Sequence, residues 1–364
     1  MKKHATHAVT ASTDTITPVS RSTWLKMNIL FFLFISLLVM SFWFYLATKT
    51  SASPAKPVSE VAESSGCAFD LIRMKPQSGQ LIDPLYLVEA EAESPKFSSL
   101  KLDLSQIILD WEKEGRVSSV SVYVRELNNS AWMSIACEEP YMPGSLMKVP
   151  IMIYYLKQEE QHPGTLNKEL VYNHPVHGFP SQAFRGDSIV AGRKYKISEL
   201  LRYMIVESDN NATYVLTTNL HREQYSQIFK DLEIPVYDPE NTAYTISAHQ
   251  YSKFLRVLYS STYLNEKLSE YALELLSKCK FREGIVKDLP RGVIIAHKFG
   301  ERGINYDMDF SESAIIFHES DPYLLTIMTK GKDVKTQTAL ISAISREIFQ
   351  KFGSISENGS MAGL

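Results

Sequence analysis

The chain has 364 residues, 45% hydrophobic and 22% charged, with sixteen Gly, sixteen Pro and a net charge of −3. This is enough apolar material for one large domain or two small ones, and it excludes a collagen-like or linker-dominated chain. The acidic balance argues against a surface built for nucleic-acid phosphates. Three cysteines (Cys67, Cys137, Cys279) without a C-x-x-C pair exclude a cysteine zinc site and a disulfide-rich scaffold, and leave one disulfide open.

The first predicted element is a membrane span. Met27 to Thr48 holds 22 residues without Asp, Glu, Lys or Arg. At about 1.5 Å per residue it reaches roughly 33 Å as a helix, enough for a hydrocarbon core. Trp24, Trp43 and Tyr45 lie near its ends, where such rings favour the interface. A cleaved signal peptide would carry a shorter apolar stretch, about 7–15 residues. Lys2, Lys3, Arg21 and Lys26 precede the span, against Lys49 and Lys56 after it. The positive-inside bias therefore keeps residues 1–26 cytoplasmic and sends the rest outside. The expectation is a single-pass membrane protein with an extracytoplasmic domain.

Residues 49–66 read as a tether, and 67–94 as an extension of no clear class, with Pro76, Pro84 and the acidic run Glu89, Glu91, Glu93. A helical stripe follows at Leu100, Leu104, Ile107, Ile108 and Trp111. Val120, Val122 and Val124 alternate with polar neighbours, Asn128-Asn129-Ser130 makes a turn, and Ala131 to Cys137 returns as a hairpin. Ser145 to Leu220 is mainly helical, with a core stripe at Ile197, Leu200, Leu201, Met204 and Ile205. Further helices fall at Tyr251–Leu258 and Leu268–Leu276. Strand composition returns at Val293–Lys298, Ala314–His318 and Tyr323–Thr329, and a closing helix runs from Val334 to Lys351. Residues 353–364 read as a flexible tail. Without βαβ alternation, the sheet should be mainly antiparallel, with a helix from each end of the domain packed on it and an inserted helical block. The fold class is α+β, preceded by one transmembrane helix.

Three short motifs fall in order: Ser145-Leu146-Met147-Lys148, Ser208-Asp209-Asn210 and Lys298-Phe299-Gly300. Ser-x-x-Lys and Lys-x-Gly each recur elsewhere, so context selects among them. Ser145 follows the Pro143-Gly144 turn and opens a run, Leu146 to Leu156, that is apolar on nearly every side and therefore buried. At i, i+3 spacing Ser145 and Lys148 share a helix face and can touch. Pro150 falls slightly late for the first turn, which predicts local distortion. A serine hydroxyl is a poor nucleophile until a base takes its proton, and a lysine serves once burial or a nearby cation lowers its pKa. Lys298 would supply that cation, Ser208 a proton relay to the leaving nitrogen, and Asn210 a hold on Lys148. The bland reading of Ser208-Asp209-Asn210 is a helix junction with its cap.

The ordered trio resembles the class A β-lactamase and penicillin-binding-protein family of serine hydrolases, with KFG where KTG is usual. The resemblance covers residues 95–352. It implies the β-lactamase/transpeptidase-like fold and an acyl-Ser145 intermediate, with Lys148 as base or proton shuttle and Ser208, Asn210 and Lys298 completing the site. It also implies an oxyanion hole from the backbone N–H groups of Ser145 and Glu301, and a substrate drawn from β-lactams or the D-Ala-D-Ala ends of cell-wall peptides. No cofactor, metal or nucleic acid is expected. The lone pair His174 and His177 lacks a helical frame and a third ligand.

Two departures stand out. Phe299 replaces the family's threonine at the substrate carboxylate, so Phe299, Gly300 and Arg302 are the weaker substrate-binding candidates. Lys330 is a second candidate for compensation, although both it and Arg302 read equally as solvated surface charges. Between Ala212 and His297 no Glu is followed four residues later by Asn, the pair that positions the deacylating water in class A enzymes. Glu240, in the shortened segment Ile234 to Asn241, is the substitute candidate, with an exposed loop carboxylate as the plainer reading. Intact acylation chemistry with slow deacylation follows. The alternatives are a D-Ala-D-Ala carboxypeptidase and a catalytically idle cell-wall-binding domain.

Overall fold

A computed structural model describes residues 71–74, 84–88, 90, 92–173, 184–237, 244–304, 307–318 and 321–361, with Met40 and Ser41. Chain contacts separate Met1–Ser64 from Ser65–Leu364, and every element named below belongs to the second unit. The expected span 27–48 lies outside the described residues apart from Met40 and Ser41, which are helical. Among the described residues no helix is long and apolar enough to cross a membrane.

In chain order the domain holds β1 (Leu71–Arg73), β2 (Leu85–Val88), α1 (Ser98–Lys113), β3 (Val117–Glu126), β4 (Trp132–Ile135), α2 (Lys148–Gln161), β5 (Glu169–Tyr172) and β6 (Arg193–Lys196). Then come α3 (Ile197–Val206), α4 (Asn210–Thr218), α5 (Arg222–Asp231), α6 (Ala248–Tyr259), α7 (Glu266–Ser277), β7 (Ile294–Ile304), β8 (Asp307–Phe317), β9 (Tyr323–Gly331) and α8 (Val334–Met361). The main sheet has the order β4-β3-β9-β8-β7, antiparallel throughout. This is the α+β, antiparallel arrangement expected from the lack of βαβ alternation. It leaves β7 at one edge.

The sheet is covered on both faces because its strands send apolar side chains to each of them. On one face, Val122, Val124, Phe310 and Leu325 pack with Leu100, Leu104 and Ile108 of α1 and Leu340, Ile341 and Ile344 of α8. The α1 residues recur at i, i+4 and i+8, one helical face, and burying each is worth about 1.5–3 kcal/mol. On the other face, Tyr123, Ala296, Ile315, Leu324 and Met328 pack against the helical block. Lys298 and Gly300 share this second face with Ala296, whereas His297 and Phe299 point to the first.

Several expectations change. Part of the 49–94 extension belongs to the domain: β1 and β2 form an antiparallel pair, with Ile72 and Leu87 buried in the core. Arg125 and Arg256 both donate to Val88 O, and Trp132 Nε1 donates to Ala90 O. The 353–364 tail is helical as far as Met361. β5 and β6 are an unforeseen antiparallel pair within the helical block. Pro150 causes no break, because a 3₁₀ turn at Gly144–Met147 delays α2 until Lys148 and places Pro150 in the first α turn. A missing N–H costs nothing there. Cys137 is disulfide-bonded and Cys279 is a free, buried thiol.

Candidate active site

The Gly144–Met147 turn lies directly on β7. A Cβ on Gly300 would sit 2.7 Å from Leu146 N and closer still to Pro143 O, and one on Gly144 would sit 2.8 Å from the Glu301 carbonyl carbon. Gly144 also has φ +50°, where a side chain adds strain. These two glycines let the backbones of Ser145 and Glu301 approach. Asp309 of β8 holds the approach to the turn by accepting from Met142 N at 2.6 Å. Ser145 is half-buried at the start of this turn.

The second motif is the junction between α3 and α4. Ser208 has φ +55°, the left-handed region that costs a non-glycine residue on the order of 1–3 kcal/mol. Asp209 holds that conformation as the cap of α4, accepting from Asn211 N (3.0 Å), Ala212 N (3.2 Å), Ser188 Oγ (2.8 Å) and Ile189 N (3.1 Å). The cap reading of this motif is therefore correct, and the same cap aims Ser208 and Asn210 at the lysines.

Lys148 donates to Ser208 O at 2.6 Å, Asn210 Oδ1 at 2.8 Å and Ser208 Oγ at 3.1 Å. Lys298 donates to the same Ser208 Oγ at 3.1 Å and to Phe299 O at 3.0 Å. Ser208 Oγ thus lies between two amines that come from opposite ends of the domain. Burial first, and then the charge of Lys298, hold Lys148 well below the usual lysine range. Burial also brings Lys298 down to about 8, against the opposing pull of Cys279, Glu312 and Glu301.

The expected contact between Lys148 and Ser145 is not made here. Among the described residues none of the hydrogen bonds of Lys148 goes to Ser145, because its three N–H donors are matched by Ser208 O, Ser208 Oγ and Asn210 Oδ1. Loss of one proton would free a lone pair for the serine. Phe299 also needs correcting as a substrate contact. It is 1% exposed, stacked on Phe281 at 4.2 Å and on Phe310 at 6.1 Å, with the Lys298 ammonium 3.9 Å from the centre of its ring. A ring that size is stable in the aromatic core and has no opening to the cleft. Gly300 faces the turn, where its missing side chain is what matters. Arg302 is exposed, and Lys330 is engaged with Glu139 at 3.1 Å and the Tyr141 ring at 4.7 Å. Glu240, His174 and His177 lie outside the described residues, and among the described ones no group of His, Cys, Asp or Glu could hold a metal ion. Sequence reasoning missed Asp309, since a carboxylate that holds a loop looks like any surface acid.

A family model described as "Beta-lactamase enzyme family" matches residues 102–352. The chain belongs to the beta-lactamase enzyme family. As a member of that family it is a serine hydrolase. No curated protein matches it in sequence. Among solved structures it resembles a beta-lactamase from Chitinophaga pinensis at 16% identity and a TM-score of 0.60, over 68% of this chain and 99% of that one. It also resembles PBP-A, whose mutant is known as an acyl-enzyme complex with penicillin G, at 20% identity and 0.59, over 70% and 97%. A class A beta-lactamase from Mycobacterium abscessus matches at 20% and 0.58, over 69% and 98%. At such identities these likenesses establish the beta-lactamase fold and nothing finer.

Proposed function

We propose that the protein is a membrane-anchored serine hydrolase that opens β-lactam amides through an acyl-Ser145 intermediate and releases the acyl group slowly. The observation that carries this reading is Ser208 Oγ held at 3.1 Å from both Lys148 and Lys298, beside the Ser145 turn. Lys148, its pKa lowered by burial and by Lys298, takes the Ser145 proton as the oxygen attacks the carbonyl. The backbone N–H groups of Ser145 and Glu301, clamped together by Gly144 and Gly300, receive the oxyanion, where each donor is worth about 10²–10³ in rate. Ser208 passes the proton to the leaving nitrogen, and Lys298 supports the charge. Asn210 keeps Lys148 oriented. No Glu-x-x-x-Asn lies between Ala212 and His297, so hydrolysis of the ester lags behind its formation.

Residues 27–48 supply the anchor and place the domain outside the cytoplasm, a compartment that suits the disulfide at Cys137. A fluorescent penicillin should label the protein, and Ser145→Ala should abolish the label. An unlabelled wild type, or a labelled variant, refutes the assignment. The full chain should sediment with membranes and become soluble when residues 1–48 are removed; partition unaffected by the deletion refutes the anchor.

A further inference from the structure

The residue immediately before Ser208 carries a charge that the acylation chemistry does not use. Glu207 ends α3 with its side chain 1% exposed. Its Oε1 accepts from Lys280 Nζ at 2.9 Å and from Arg202 Nη1 at 3.4 Å, and its Oε2 accepts from Asp187 N at 3.1 Å. The two cations are about half-exposed, so the carboxylate is the enclosed member of the cluster. A carboxylate buried this way persists only when it is paired and hydrogen-bonded. The backbone around it fits as closely. A Cβ on Gly186 would stand 2.8 Å from Glu207 O and 2.9 Å from Glu207 Cα, and Lys280 N donates to Val206 O at 3.0 Å.

These contacts gather two separate segments onto the junction between α3 and α4. Residues 184–189 also meet the junction beyond Ser208, where Asp209 accepts from Ser188 Oγ and Ile189 N. The second segment follows α7 and contains Lys280 and Phe281. Each brings a phenylalanine to the third motif: Phe281 stacks on Phe299 at 4.2 Å, and Phe184 meets it edge-on at 5.6 Å. The Phe299 ring in turn lies 3.9 Å from Lys298 Nζ. The Glu207 carboxylate therefore joins the backbone of Ser208 to the aromatic wall that borders Lys298.

We propose that Glu207 is a positioning residue for acylation, whose buried carboxylate holds Ser208 Oγ between the two lysines by tying the α3–α4 junction to the segments that carry Phe184 and Phe281. Ser208 needs this support, because its backbone at φ +55° is strained and persists only where the surroundings hold it. Of the tasks of Ser208, delivery of a proton to the leaving nitrogen depends most on where Oγ stands, since a general acid acts only within hydrogen-bond reach. Glu207 itself exchanges no proton with the substrate.

The proposal rests on the acylation reading above, and the choice of acyl donor tests it. A β-lactam nitrogen must be protonated as it leaves, whereas p-nitrophenolate leaves an activated ester without a proton. Glu207→Gln keeps the shape and the Asp187 contact but removes the charge. It should slow acylation by saturating penicillin G roughly 10–100-fold. The ratio of p-nitrophenyl-ester to penicillin acylation rates should rise at least about tenfold over wild type. A merely structural role would slow both donors alike. Gly186→Ala tests the same joint from the other side and decides if Glu207→Gln does not fold. Its methyl would stand 2.5 Å from Glu207 Oε2 and press the segment off the junction, with the same shift towards the ester. Penicillin acylation within about threefold of wild type, or equal losses with both donors, overturns the proposal. Wild type without a penicillin adduct is a different result: it refutes the acylation reading, and the proposal with it.

Discussion

Substituting alanine for Gly300 tests how closely catalysis depends on the fit between β7 and the nucleophile turn. The new methyl carbon would stand 2.7 Å from Leu146 N and nearer still to Pro143 O. Both neighbours are backbone atoms, so no side chain can swing aside. To restore ordinary contact at 3.4 Å, strand and turn must part by at least about 0.7 Å, and further at Pro143. That separation pulls the Glu301 N–H away from the Ser145 N–H. A misplacement of about 1 Å costs on the order of 10²-fold in rate, about 2.7 kcal/mol of barrier. Overpacking of this kind costs about 1–3 kcal/mol of stability, which lowers Tm by several degrees and leaves the protein folded at 25 °C. The assay is stopped-flow acylation by a fluorescent penicillin, with a thermal melt of the same sample. Gly300→Ala should acylate about 100-fold more slowly while melting cooperatively. Acylation within threefold of wild type would refute the reasoning, since the two glycines would then not be setting the site.

The pH dependence of acylation should be bell-shaped. The rate rises as Lys148, held low by burial and Lys298, gives up its proton, and falls as Lys298 loses its charge near pH 8. A rate that climbs steadily to pH 10 would exclude this division of roles. Phe299→Ala should cost about 3–5 kcal/mol of stability, because it empties an aromatic stack rather than a substrate pocket. Chemical denaturation measures this, and a loss below 1 kcal/mol would put the ring outside the core.

Much of the architecture was legible because it follows periodicity. The stripe of α1 at Leu100, Leu104 and Ile108, the α3 stripe from Ile197 to Ile205 and the alternation of β3 each bury an apolar face, and burial is what selects them. β1 and β2 were not legible: three- and four-residue strands offer only Ile72 and Leu87 as fully buried apolar residues, too few for a period. β7 and β8 run on to Ile304 and Asp307, past charged residues and glycines that locally suggest a turn, because cross-strand pairing outweighs local preference. The site residues could be named from their motifs, but not their contacts. Lys148 and Lys298 reach Ser208 across 60 and 90 residues of chain, distances that no local pattern encodes. The same limit explains Phe299, since which face of β7 meets which layer depends on tertiary packing.

The most direct test is peptide mass mapping of the full-length protein after brief exposure to penicillin G, repeated over several hours. The account predicts one adduct with the mass of the intact antibiotic, on the peptide that contains Ser145, still present in most molecules when the free drug has been removed. An adduct on any other residue, or none at all, would contradict it.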